Sequence, residues 1–105
     1  MGIRLRISRQ SLALLEALLD QPAQWHHGYA LSQQTDLASG TLYPILMRLE
    51  KSGWLETKWE DGPVPGRPPR HFYRLTGNGR EWAREELRGA RESNFWKPAH
   101  GKAGA

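Results

Sequence analysis

The chain has 105 residues and a formal net charge of +4, and it contains no cysteine. This length suits one small domain, and the missing cysteines exclude disulfides and thiolate metal sites. No apolar run approaches the roughly 20 residues of a membrane helix, and no apolar signal-peptide core follows Arg4 and Arg6. We therefore expect a cytoplasmic protein without a membrane partner, whose positive charge favours an anionic partner without identifying it.

Residues 1–7 are predicted to form a basic N-terminal arm or a short strand. A first helix is predicted from Ser8, a suitable N-cap, to Gln21, because Pro22 blocks its continuation. Its leucines recur at helical spacing and give an apolar face wide enough to be covered on more than one side. A connector over residues 22–28 then leads to a short second helix over residues 29–35.

A turn at residues 36–40 precedes the third helix, which ends at Gly53, a residue that accepts the left-handed conformation of a C-cap. Its apolar positions follow the i, i+3, i+4, i+7 pattern: Leu42, Ile45, Leu46 and Leu49. Pro44 is comfortable only in the first turn of a helix. With Ser39 as the cap, Pro44 lies just inside the helix; with Thr41 as the cap, it lies within the first turn. The sequence leaves both possibilities open.

Residues 54–59 and 70–75 alternate in polarity and predict a hairpin joined by a loop rich in glycine and proline. Thr76 is then predicted to cap a fourth helix that ends near Arg91. The order predicts an α+β winged helix-turn-helix fold, with three helices, a two-stranded wing and a C-terminal dimerisation helix. The domain would cover residues 8–76, the dimerisation helix residues 77–93 and a flexible tail residues 94–105.

The third helix and the hairpin are the candidate DNA-binding elements. In a helix-turn-helix, the second helix enters the major groove with its N-terminal side chains at the base edges. A proline-stiffened hairpin loop can present arginines to the minor groove or to phosphates. The predicted DNA-binding residues are Ser39, Gly40, Thr41, Tyr43, Arg48, Arg67 and Arg70, with Arg4 and Arg6 as weaker candidates. Alternatively, Thr41 and Tyr43 are a cap and a half-buried aromatic residue, and the wing arginines are merely solvated.

Residue patterns for catalysis and metal binding are poor. His26 and His27 are adjacent and cannot share a helix face, and no cysteine or spaced carboxylate completes a metal site. Trp82 stands where a dinucleotide-binding motif that begins at Gly77 needs its third glycine. We therefore expect no enzyme activity, no metal and no cofactor.

Several segments together resemble the PadR family of bacterial transcriptional regulators, over roughly residues 8–90. The segments are Gly28-Tyr29, Gly40-Thr41-Leu42-Tyr43-Pro44-Ile45-Leu46, Arg48-Leu49-Glu50, Gly53, Trp59, Gly66-Arg67, Phe72-Tyr73-Arg74-Leu75-Thr76 and Gly79. The resemblance implies a winged-helix repressor that binds a palindromic operator in double-stranded DNA as a homodimer. It also implies release by a small aromatic or hydrophobic effector.

The same resemblance implies that the first and last helices form the dimer. The candidate interface residues are Leu14, Leu18, Trp82, Ala83, Leu87 and Ala90. Trp82, Phe95 and Trp96 could line an effector pocket, although packing in a dimer core or against the tail is the favoured alternative. The chain departs from the family pattern in a short segment between Tyr29 and Thr41 and in a short last helix. Two other functions stay open: a protein-binding winged helix, and a ligand sensor with a secondary DNA role.

Overall fold

A computed structural model describes residues 7–96, and the predicted contacts of Arg4 and Arg6 lie outside these residues. The described residues form four helices and three strands, which confirms the α+β winged helix-turn-helix fold. In chain order the elements are α1 (Arg9–Asp20), β1 (His26–His27), α2 (Gly28–Thr35), α3 (Ser39–Lys51), β2 (Leu55–Glu60), β3 (Arg70–Leu75) and α4 (Gly77–Glu92). We call β2, the loop of residues 61–69 and β3 the wing.

The helix α1 lies at the centre of the core. It packs against α2, α4 and β3, which agrees with the prediction that its apolar face is covered on more than one side. The side chain of Ser8 accepts a hydrogen bond from the Ser11 N–H at 3.1 Å, so Ser8 is the N-cap as predicted. The largest fully buried side chains are all leucines: Leu12, Leu14, Leu15, Leu18, Leu31, Leu42, Leu46 and Leu75. Each such burial stabilises the fold by about 1.5–3 kcal/mol relative to an exposed side chain.

The helix α3 begins earlier than either predicted cap would allow. Its N-cap is Ala38, whose carbonyl accepts hydrogen bonds from the Thr41 and Leu42 N–H groups at 2.9 Å. Both predicted caps, Ser39 and Thr41, are therefore wrong, because both residues are already helical. Pro44 consequently lies inside the helix and removes the N–H that the Gly40 carbonyl would otherwise accept.

The C-terminal end of α3 agrees with the prediction. Gly53 has a φ of +83°, its N–H donates to the Glu50 carbonyl at 3.0 Å, and the Trp54 N–H donates to the Leu49 carbonyl at 2.9 Å. These paired bonds form a Schellman motif, which satisfies carbonyls at the helix end and turns the chain into β2.

The sheet has the order β1-β3-β2, and all of its pairs are antiparallel. On one face of the sheet, Leu55 pairs with Leu75, Thr57 with Tyr73 and Trp59 with His71. The strand β1 was predicted to be a connector, and that prediction is wrong, since His26 and His27 pair with β3. Two residues are too few to show an alternating pattern.

The helix α4 docks closely onto the junction between α3 and β2. Its N-cap, Thr76, accepts a hydrogen bond from the Gly79 N–H and donates one to the Gly53 carbonyl, both at 2.9 Å. A Cβ atom at Gly79 would overlap the Trp54 carbonyl oxygen, so only glycine allows this approach.

Residues 94–96 do not form part of a free tail, and the prediction for them is wrong. Asn94 has a φ of +62°, its N–H donates to the Arg91 carbonyl, and the Phe95 N–H donates to the Ala90 carbonyl at 2.8 Å. This second Schellman motif folds Phe95 and Trp96 back onto the core. The rest of the predicted tail lies outside the described residues. Within residues 7–96, no helix has the length and apolar character needed to cross a bilayer.

Candidate nucleic-acid interface

A groove of about 590 Å³ separates the first turns of α3 from the wing. Tyr43 lines it from α3, and Arg67 and Arg70 line it from the wing. The structure therefore brings three of the predicted DNA-binding residues to one concave surface. The remaining lining residues are His27, Trp59, Gly62, Pro63, Val64, Pro68, Pro69, His71 and Tyr73.

An aromatic column supports the wing side of this groove. The Trp59 and His71 rings stack with a centroid separation of 4.1 Å and an interplanar angle of 11°. The hydroxyl oxygen of Tyr73 lies 2.9 Å from His71 Nδ1, and the Nε2 atom of His71 is buried without a partner among the described residues. Burial raises the pKa of Tyr73 to about 12, with smaller contributions from Tyr43 and Glu50. Tyr73 therefore stays neutral at physiological pH and adds no anion beside the groove.

The loop of the wing is shaped by glycine and presents its arginines to solvent. Gly66 has a φ of +85°, which favours glycine, and the Arg67 N–H closes a turn onto the Val64 carbonyl at 3.4 Å. Arg67 and Arg70 are both exposed. The Arg70 side chain lies across the loop, so a Cβ atom at Gly62 would be 3.5 Å from its Nε.

Tyr43 has both a packing role and an exposed face. Its hydroxyl abuts Gly28, where a Cβ atom would overlap it, and this contact joins α3 to the start of α2. The side chain is nevertheless 38% exposed and faces the groove. Tyr43 can therefore be a partly packed aromatic residue and still be available for the predicted contact with DNA.

The other predicted residues of α3 are not among those that line the groove. Ser39 and Gly40 are exposed in the first turn, and Thr41 is half-buried there. Arg48 projects from the opposite flank, into a concavity that it shares with Trp54 and Trp82. The structure does not place Arg48 together with the wing arginines.

Trp59 and His71 are groove residues that the sequence analysis did not assign to the site. Trp59 is 63% exposed, although it belongs to the same alternating face as Leu55 and Thr57. The alternation of residues 54–59 in the sequence already placed Trp59 on this face. A face that is buried against α3 near Leu55 continues towards the wing tip, where it is left open.

Four of the predicted dimer-interface residues are internal to the single chain. Leu14, Leu18 and Ala83 are completely buried and Leu87 is nearly so, because α4 packs its narrow apolar stripe on α1. These four assignments are therefore corrected to core positions. Trp82, which stacks on Trp54 at 4.8 Å, and Ala90 are half-buried.

The residues of the predicted effector pocket are distributed over different surfaces of the described chain. Trp82 lines the concavity beside Arg48, whereas Phe95 lines a different one beside Arg88, so the effector pocket stays a prediction. The Arg9 guanidinium lies 4.6 Å from the Phe95 ring centroid and covers it. The backbone N–H of Trp96 donates a hydrogen bond to the Ala90 carbonyl at 3.2 Å. Among residues 7–96, no group of three or more histidine or acidic side chains is placed to hold a metal.

Comparison with known proteins points to one family of transcriptional regulators. Residues 14–85 match the model of the transcriptional regulator PadR-like family. A PadR-like transcription factor from Bacteroides fragilis is 26% identical, with a TM-score of 0.65 over 82% of this chain and 86% of that one. The smu.1704 protein of Streptococcus mutans UA159 is 28% identical, with a TM-score of 0.64 over 89% of this chain and 88% of that one.

A PadR family regulator from Clostridium difficile R20291 shares the fold, at 21% identity and a TM-score of 0.65, over 80% of this chain and 90% of that one. No curated protein is significantly similar to the chain.

Proposed function

The chain belongs to the PadR-like family of DNA-binding transcriptional regulators, and from this premise we propose that α3 and the wing hold one DNA duplex together. The observation that carries the proposal is the shared groove, which Tyr43 lines from one side and Arg67 and Arg70 line from the other. The protein would recognise a specific sequence through α3 and gain affinity through the wing.

The geometry of DNA suits this arrangement. An α-helix fits the major groove, and an arginine-bearing loop can enter the adjacent minor groove. The sugar-phosphate strand between the two DNA grooves would then run through the cleft between α3 and the wing. Arg67 and Arg70 supply positive charge on that path, and phosphate contacts of this kind fix the position of a protein on DNA. Ser39 and Thr41 would contact base edges or the backbone beside Tyr43.

We also propose that the protein acts as a homodimeric repressor on a palindromic operator. The concavity between α3, α1 and α4 supports this proposal, because it exposes part of the stacked Trp54–Trp82 pair and is lined by Ile7 and Arg48. A second copy that covers this concavity would leave both wings free. Two α3 helices would then meet successive major grooves about 34–36 Å apart. A small aromatic or hydrophobic effector would release the DNA.

Selection of bound fragments from random duplex DNA tests this function. We expect one palindromic motif, and we expect Tyr43→Ala to reduce the preference for that motif over random duplex by about 1–3 kcal/mol. Tyr43→Phe is the matched control, since it keeps the ring packed against Gly28. Thermal unfolding of both variants separates a loss of recognition from a loss of fold. Recovery of random fragments alone would contradict the proposal.

A further inference from the structure

The outward surface of α3 carries apolar side chains rather than charged ones over its first two and a half turns. The buried side of the helix is formed by Leu42, Ile45, Leu46 and Leu49. By helical spacing, the opposite side is formed by Gly40, Pro44 and Met47, and then by Lys51. We call Gly40, Pro44 and Met47 the crest of α3.

The crest is open to solvent, and none of its residues belongs to the buried core of the described chain. Gly40 has no atom within 4 Å of the position that a Cβ would occupy, Pro44 is exposed, and Met47 is 59% exposed. Tyr43 lies on the flank that faces the wing, and Arg48 lies on the other flank. The crest is therefore the part of α3 that would reach deepest into a major groove.

The chemistry of the crest restricts what it can recognise there. Guanine is usually read by arginine or lysine, adenine by asparagine or glutamine, and cytosine by a carboxylate. None of these side chains stands at the crest until Lys51. The 5-methyl group of thymine is the apolar feature of the major groove, and an apolar side chain is its partner. Methionine is unbranched and polarisable, so it can adapt to such a contact.

We propose that Met47, beside Pro44, is a specificity-determining residue that contacts the 5-methyl group of a thymine in each half-site. This inference rests on the proposed function, because it requires α3 to lie in the major groove. It adds a base identity and a residue that the wing and Tyr43 do not supply. A single exposed methionine is common on protein surfaces, so the test must depend on the methyl group itself.

The experiment replaces the thymines of the selected motif one at a time by dU, which keeps the base pair and lacks only the methyl group. The native chain should bind about fourfold more weakly when the contacted dT becomes dU, the loss expected for one buried methyl group. Met47→Ala should bind the dT and dU duplexes equally at that position and with its normal salt dependence. Met47→Gln, which is similar in size but polar, should also lose the distinction.

Two results would overturn the inference. One is a motif in which no dU substitution weakens binding by the native chain; the other is a dU penalty that is the same in Met47→Ala. Either result, combined with specific binding that depends on Arg67 and Arg70, removes the methyl contact and leaves the proposed function intact. Failure to discriminate among duplexes would instead remove the proposed function, and the methyl contact with it.

Discussion

The first turns of α3 and α4 differ in how well they are capped and packed. The start of α4 has a side-chain cap from Thr76 and a glycine, Gly79, that is pressed against the Trp54 carbonyl. The start of α3 has Ala38 as a cap without a side-chain hydrogen bond, an unenclosed Gly40 and an internal Pro44. The two features of α4 fix that helix on the core, whereas the three features of α3 each cost helix stability. This difference is typical of a surface that serves binding rather than packing.

The largest expected effect is at Gly79. Gly79→Ala should lower the free energy of unfolding by about 3 kcal/mol, because the new methyl group would overlap backbone atoms of Trp54 that cannot move independently. Chemical denaturation measures the change. Wild-type stability in this variant would show that α4 is not held at this distance, and the contrast between the two helix starts would be lost.

Pro44 should produce a substantial effect in the other direction. Pro44→Ala restores an N–H that can donate to the Gly40 carbonyl, so we expect a gain of about 1–3 kcal/mol in the free energy of unfolding. Pro22→Ala, in the loop after α1, is the control and should give no comparable gain. A loss of stability in Pro44→Ala would mean that the proline is structurally required.

The two caps should respond in opposite ways. Thr76→Ala should cost about 1 kcal/mol of stability, since it removes the hydrogen bond to the Gly79 N–H. Ala38→Ser should add up to about 1 kcal/mol by supplying a cap that α3 lacks. Thermal unfolding of the pair tests whether the two helix starts differ as described. If both variants were stabilised, or both destabilised, the described difference between the starts of α3 and α4 would be contradicted.

Gly40 should give the smallest change in stability and the most informative one. Gly40→Ala should stabilise the free protein by about 0.5–1 kcal/mol, because alanine favours a helix and the site is open. The same variant should bind DNA more weakly, since its methyl group would stand on the crest. Gly89→Ala, at an equally open site in α4, should stabilise the protein without affecting DNA binding. If the two variants bind DNA alike, the crest does not face the duplex.

Local signals in the sequence were sufficient for most of the fold. The caps Ser8, Thr76 and Gly53 each act within a few residues of the chain, and β3 was predicted with its observed ends, Arg70 and Leu75. Interactions between distant residues were not predictable in this way. The pairing of His26 with Tyr73, for example, depends on a partner far along the chain.

The candidate site was predicted in part. Tyr43, Arg67 and Arg70 line one groove, but Arg48 lies on the opposite flank, as its five-residue spacing from Tyr43, a rotation of about 140°, already indicates. The narrow stripe of α4 suggested a partner chain, yet α1 of the same chain fills that role, which accounts for the buried Leu87. An apolar stripe indicates that one side of a helix is covered. Only the tertiary structure shows which element covers it.

The most direct test of the shared groove is the salt dependence of DNA binding. For the native chain, a plot of log affinity against log salt should have a slope of about −0.9 per neutralised phosphate. Arg67→Ala with Arg70→Ala should make that slope shallower by about 1 to 2. Arg84→Ala with Arg91→Ala, which removes the same charge from exposed positions of α4, should leave the slope unchanged. An equal change in both double variants, or none in the wing variant, would contradict the claim that α3 and the wing hold the duplex together.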